Sequence, residues 1–238
     1  MKNSLLTILT ILLLTACSGN TAKALPTELV IQHSPGARYI QPVLQACSQK
    51  LDPLPIVVKE LPVGQLDALA GDLTITLIEP STSGLPVYLL GTDQLVLVTR
   101  SPAPVGSVAP AELAGVFRGF LADWQNLGAA APSAITIIGY LSSNELQGLI
   151  DTLIIRNGTI PLTATRVEDT TSALALVTAI PGSLSFIPDS QLTDLVAPIS
   201  IMGTESQMLS YPILAQTRVE PGGNIENLML CIQDEIHK

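Results

Sequence analysis

GTDQLVLVTRSPAPVGSVAPAELAGVFRGFLADWQNLG, from Gly91 to Gly128, is the stretch on which the fold turns. Gln94–Thr99 has no polar face, so it predicts a strand buried on both sides. Ser101 to Ser107 is a proline-rich connection. Pro110–Phe117 predicts a helix, with proline in the first turn where its missing N–H costs nothing. The chain is only 3% aromatic, yet its single tryptophan and two of its three phenylalanines fall between Phe117 and Trp124. Rings bury large areas, so Phe117 and Trp124 are expected to form a small core under a turn that Gly119 permits.

Upstream, Glu28–Gln32 reads as a strand, and Ser34 followed by Pro35 as a helix start. Ile40, Val43, Leu44 and Cys47 follow at helical spacing. Ile56–Glu60 is a second strand, Gly64–Leu69 a short helix and Asp72–Ile78 a third strand. Alternating strands and helices mark a parallel α/β sheet. Downstream, Ala134–Gly139 predicts a strand, and Ser142 opens a helix to about Ile155. Asp169–Ala179 predicts a helix with Asp169, Thr170 and Thr171 as caps. Gly182–Pro188 predicts a strand and Asn224–Ile236 a closing helix. No internal repeat or low-complexity block is present.

The composition excludes several functions. A net charge of −9 over 238 residues, with few rings, does not suit nucleic acid. It leaves room for a small anion held by backbone N–H groups at helix starts. Histidines occur only at 33 and 237. There is no Gly-x-Ser-x-Gly elbow, no phosphate-loop motif, and no cysteine–histidine cluster at zinc spacing. No catalytic residue, metal or cofactor is therefore expected.

The first sixteen residues read as a secretory signal: Lys2, then an apolar run from Leu5 to Leu14 too short to anchor in a bilayer. Leu14-Thr15-Ala16-Cys17 resembles the bacterial lipobox, which implies acylation of Cys17 and a membrane tether over residues 17–26. Removing Lys2 with the leader takes the net charge to one unit more negative. Cys47 and Cys231 then lie in an oxidising compartment. Either they clip the C-terminal segment to an early helix or they are two buried free thiols, and both alternatives stand at this point.

Three motifs occur in order. They are Gly91–Val98 continuing through Ser107–Phe117, Gly119 and Trp124–Gly128; then Pro181–Pro188; then Tyr211-Pro-Ile213 as a turn before a last strand. Together they resemble the periplasmic phosphate-binding proteins of ABC transporters, over roughly Glu28 to Glu235. The resemblance implies an α/β, two-lobed, type II periplasmic-binding-protein-like fold with crossing hinge strands. Lobe 1 would be residues 27–93 plus 191–238, and lobe 2 residues 94–190. It further implies a monomer outside the cytoplasm, held by its lipid anchor, that passes a small oxyanion-like ligand to an ABC permease.

Ligand contacts are expected where that family has them. After the first strand stand Ser34, Gly36, Ala37 and Arg38: a hydroxyl, two backbone N–H groups and a guanidinium fork. Ser81 follows the third strand. In the second lobe, Ser142, Ser143 and Asn144 open a helix, and Thr171 opens another. Here the sequence departs from the family. The arginine and the serine-glycine-threonine run are replaced by Tyr140-Leu-Ser-Ser-Asn-Glu145, and Glu145 adds a negative charge in the first turn. The ligand is then another oxyanion, a neutral polar solute, or absent. In the last case the chain is a transport-inactive lipoprotein, a sensor or an envelope-assembly partner.

Overall fold

Strand β1 (Leu29–His33) lies parallel to β2 (Ile56–Glu60) on one side and to β3 (Leu73–Thr76) on the other. The computed structural model describes residues 28–51, 54–80, 84–156, 158–203 and 209–236. The leader, the tether with Cys17, and Ser81 lie outside the described residues. Between β1 and β2 the chain makes a 3-10 turn, Pro35–Ile40, and then helix α1 (Gln41–Lys50). Ser34 caps the turn and Pro35 occupies its first positions, as the sequence predicts.

The central strand is β4 (Val87–Arg100), 14 residues long. Val87–Gln94 pairs antiparallel with β11 (Ser210–Gln216), and Leu95–Thr99 pairs with β8 (Ser183–Pro188). One strand thus serves both lobes. Leu95, Leu97 and Val98 are buried, as a run without a polar face requires. The second lobe adds β5 (Ser107–Val108), α2 (Pro110–Phe117), β6 (Thr136–Tyr140), α3 (Glu145–Ile150), β7 (Thr165–Val167) and α4 (Thr170–Ala179). Beyond β8 come β9 (Val196–Pro198), β10 (Ser200–Ile201), β11 and the closing helix α5 (Asn224–Ile236). The sheet order is β2-β1-β3-β11-β4-β8-β6-β7, with β9 on β4; β10 pairs with β5.

The aromatic cluster packs the second lobe. Trp124 and Phe117 are fully buried, and Phe117 meets Phe186 at a centroid separation of 5.4 Å. The Trp124 Nε1–H donates to the Gly182 carbonyl at 2.9 Å, which ties the tryptophan to the entry of β8. Gly119 turns the chain after α2 at a φ of 79°, accessible chiefly to glycine. Phe120, next to it, is 78% exposed and takes no part in this core.

Helix α5 buries Leu228, Met229 and Ile232, and its Cys231 is joined to Cys47 of α1 by a disulfide, with the Cα atoms 5.8 Å apart. The bridge holds the last helix on the first lobe.

Three elements differ from the sequence expectation. Gly64–Leu69 is only a 3-10 turn, Val63–Gln65. Asp67 diverts the backbone: its carboxylate accepts from Leu69 N at 2.8 Å, and its own N–H donates to the Gln32 side chain at 3.1 Å. Such local bonds compete with helix continuation. The helix expected from Ser142 starts at Glu145, capped by the Asn144 side chain on Leu146 N, and finishes as a π-helical turn, Asp151–Ile155. Tyr211-Pro212 is not a turn before the last strand but lies inside β11. Proline is tolerated there because β3 pairs only with Leu214–Gln216, so Pro212 lies past the end of that ladder.

Candidate functional site

The interlobe contact is built where β1 ends. Ser34 is fully buried, and its Oγ accepts from Ala37 N at 3.3 Å as a cap should. The same hydroxyl donates to the carboxylate of Glu145, the first residue of α3 in the opposite lobe. The other carboxylate oxygen accepts from Leu77 N at 3.1 Å, and the Ile78 backbone also bonds this carboxylate. Glu145 is only 3% exposed. Gly36 makes room for it: a Cβ there would stand 3.1 Å from the Glu145 oxygen and 3.2 Å from Asn144 Oδ1. A carboxylate from the second lobe therefore fills a cradle of neutral donors in the first.

Burial is the dominant influence on Glu145 and pushes its pKa up to about 7. The bonds from Ser34, Leu77 and Ile78 pull the other way, and no cation contributes. Among the titratable groups nearby, Tyr39 is raised by burial first, with Asp93 and then Glu145 adding to it. Its hydroxyl lies 3.1 Å from that of Tyr211, while Asp93 accepts from Ser190 Oγ at 2.6 Å. A buried polar layer thus lines the crossing strand beneath the cleft.

Arg38 is committed as well. Its Nε donates to Glu60 at 2.5 Å, and its guanidinium also pairs with Asp169 from the second lobe. The pair raises the Arg38 pKa and lowers that of Glu60. Asp169 doubles as the cap of α4, accepting from Ser172 N at 2.7 Å. His33 is buried. Its Nδ1 lies 2.7 Å from the Ser34 carbonyl, its Nε2 faces the Gln41 amide, and desolvation lowers its pKa.

The structure therefore brings together Ser34, Gly36, Arg38 and Asn144 of the residues that the sequence points to. Asn144 serves the cleft indirectly: it caps α3, and its amide donates to Glu168 O at 2.8 Å. Ala37 spends its N–H on Ser34 of its own turn. Thr171 sits at the mouth, on a cavity of about 290 Å³ shared with Arg38, Gln41, Asp169 and Gln191. Ser142 and Ser143 are exposed, and Ser142 lines a different cavity with Gln147, Asp151 and Arg166. Sequence reasoning missed the Leu77 and Ile78 amides and the partners of Arg38. The signal for Glu145 was present, as an acid in the first turn of the helix after β6. Among the described residues, no group of three or more His, Cys, Asp or Glu side chains could hold a metal ion, and no helix is long and apolar enough to cross a membrane.

Comparison with solved structures now identifies the fold. A putative phosphate ABC transporter substrate-binding protein from Clostridium perfringens, with bound phosphate, superposes with a TM-score of 0.74 at 14% identity, covering 87% of this chain and 93% of that one. An ABC-type phosphate transport receptor from Vibrio cholerae gives 0.65 at 17% identity, with the same coverage. The effector-binding domain of QuiR in complex with shikimate gives 0.58 at 15% identity, covering 88% and 96%. No family model and no curated protein sequence matches the chain. The architecture is the α/β type II periplasmic-binding-protein fold, shared by ABC-transporter receptors and by effector domains of regulators. At these identities the likeness is one of fold.

Proposed function

We propose that the chain is a lipid-anchored, extracytoplasmic solute-binding protein that receives a small oxyanion between its lobes and presents it to an ABC permease, without covalent chemistry. The observation that carries this is the convergence of donors from Ser34, Leu77 and Ile78 on one carboxylate at the lobe interface. The neighbours support the same class of ligand, since one carries phosphate and another shikimate. The lobe boundary is taken between Asp93 and Gln94, a reading supported by the change of partner along β4, from β11 over Val87–Gln94 to β8 over Leu95–Thr99. Ligand entry would be hinge opening about that strand. Cys17 would carry the lipid, and the mature domain would work as a monomer.

A second reading is favoured by one fact: the cradle holds Glu145, and Arg38 is shared between Glu60 and Asp169. A protein so closed on itself suits a transport-inactive sensor or envelope-assembly partner. Titration calorimetry separates the two. The mature domain, with Cys17 replaced and any carried-over ligand removed by unfolding and refolding, is titrated with phosphate, sulfate, molybdate, small organic acids, amino acids and sugars. Micromolar binding of any of these, about −8 kcal/mol, upholds solute binding. No heat from the whole panel moves the assignment to the second reading.

A further inference from the structure

The cradle is already occupied, and the occupant tells what it fits. It meets a planar group through two oxygens: one accepts from the Ser34 hydroxyl, the other from Leu77 N, with the Ile78 backbone also bonded to the group. All of these donors are uncharged. The guanidinium of Arg38, at the same interface, is spent on Glu60 and Asp169. Taking a dianion such as phosphate out of water without a counter-charge is costly. A monocarboxylate costs far less, and it matches the two-oxygen geometry. The space is also accounted for. Gly36 leaves a gap that a side chain would close, and Glu145 reaches into it from α3.

We infer that this cradle is a carboxylate site, that Glu145 fills it as a tethered internal ligand when no solute is present, and that a small organic acid enters by displacing the Glu145 side chain. The inference rests on the reading of the cleft as an oxyanion site and narrows its substrate class. The solute-free protein is then closed. Glu145 both holds the lobes together and sets the threshold that a solute must exceed. Binding is weakened by the population of the occupied state, so selectivity comes from competition with a group of the same chemistry. An acid with further polar groups gains the contacts that Glu145 lacks, and the cavity at the mouth, with Gln41, Asp169, Thr171 and Gln191, is where those groups would lie.

The test is chemical complementation. Glu145→Ala removes one methylene and the carboxylate, two carbons in all, which is the frame of acetate. Acetate and inorganic phosphate are titrated into wild type, Glu145→Ala and Glu145→Gln by calorimetry. Acetate is expected to bind Glu145→Ala at least roughly ten-fold more tightly than it binds wild type or Glu145→Gln, and more tightly than phosphate binds the same variant. Equal acetate affinity in all three proteins, or phosphate preferred over acetate in Glu145→Ala, overturns the inference. A tight phosphate signal in wild type would also overturn it while leaving solute binding intact. Acetate rescue in Glu145→Ala beside a silent wild-type panel would uphold the cradle as a carboxylate site filled by Glu145, and would overturn both entry by displacement and the transport reading. Should Glu145→Ala fail to fold, amide exchange in solute-free wild type decides. The Leu77 and Ile78 amides are expected to be protected, and rapid exchange at both would mean that Glu145 does not occupy the cradle.

Discussion

Replacing Glu145 by glutamine should flatten a pH dependence that the wild-type protein carries. The ordinary carboxyl pKa of 4.5 is raised in the folded state to about 7, chiefly because Glu145 is buried. A group whose folded pKa is raised binds its proton more tightly when folded. Its contribution is therefore fully present below about pH 4.5 and is lost as pH rises through about 7. At about 1.4 kcal/mol per pKa unit, the loss across that window is about 3 kcal/mol. Glutamine keeps the shape and the acceptor for Leu77 N but cannot ionise. Urea unfolding followed by Trp124 fluorescence, at a series of pH values from 4 to 9, measures the difference between the two proteins. Wild type should lose about 3 kcal/mol relative to Glu145→Gln as pH rises. His33 works in the opposite sense, because burial lowers its pKa and its contribution grows with pH. It is present in both proteins and cancels in the difference. Parallel stability curves, or a difference that grows in favour of wild type at high pH, would refute the claim that a buried carboxyl closes the lobes.

Other outcomes follow from the packing. With Cys17 replaced, the unreduced, unfolded protein should show no free thiol, and Cys231→Ser should cost about 3–5 kcal/mol in thermal or denaturant unfolding, since the bridge closes a sequence separation of 184 residues. Gly182→Ala should destabilise by at least about 3 kcal/mol: Gly182 sits at a φ of 73°, and a Cβ would lie 2.4 Å from the Ala134 carbonyl oxygen. Trp124→Phe should cost about 2 kcal/mol, because it removes both the indole bond to Gly182 O and part of a fully buried ring. Arg38→Gln should cost only about 1 kcal/mol in stability, given its partial exposure, yet it should loosen closure, read as a larger radius of gyration in small-angle scattering.

The sheet was largely legible because its strands carry the pattern that physics demands. Gln94–Thr99 has no polar face and is indeed a crossing strand between two others. The turn at Ser34-Pro35 and the closing helix Asn224–Ile236 were readable for similar reasons, a cap with proline in one and a sustained apolar face in the other. The first half of β4, Val87–Asp93, was missed, since its alternation is broken by Gly91 and its burial depends on α5 packing over it. At the cleft, residue type pointed to Ser34 and to the 142–145 turn but not to which member of the turn reaches across. Ser142 and Ser143 look like ligand donors and lie exposed, while the acid that looked like an obstacle is the group that makes the contact. Side-chain reach across two lobes depends on tertiary placement, and no local spacing encodes it. The Leu77 and Ile78 amides belong to the same class, because backbone donors carry no sequence signature.

The most direct test is a high-resolution crystal structure of the mature wild-type domain, unfolded and refolded to strip any solute and crystallised without carboxylate or phosphate buffers. The account predicts closed lobes, with the Glu145 carboxylate on Ser34 Oγ and Leu77 N and Arg38 between Glu60 and Asp169. An open cleft with Glu145 turned to solvent would contradict it.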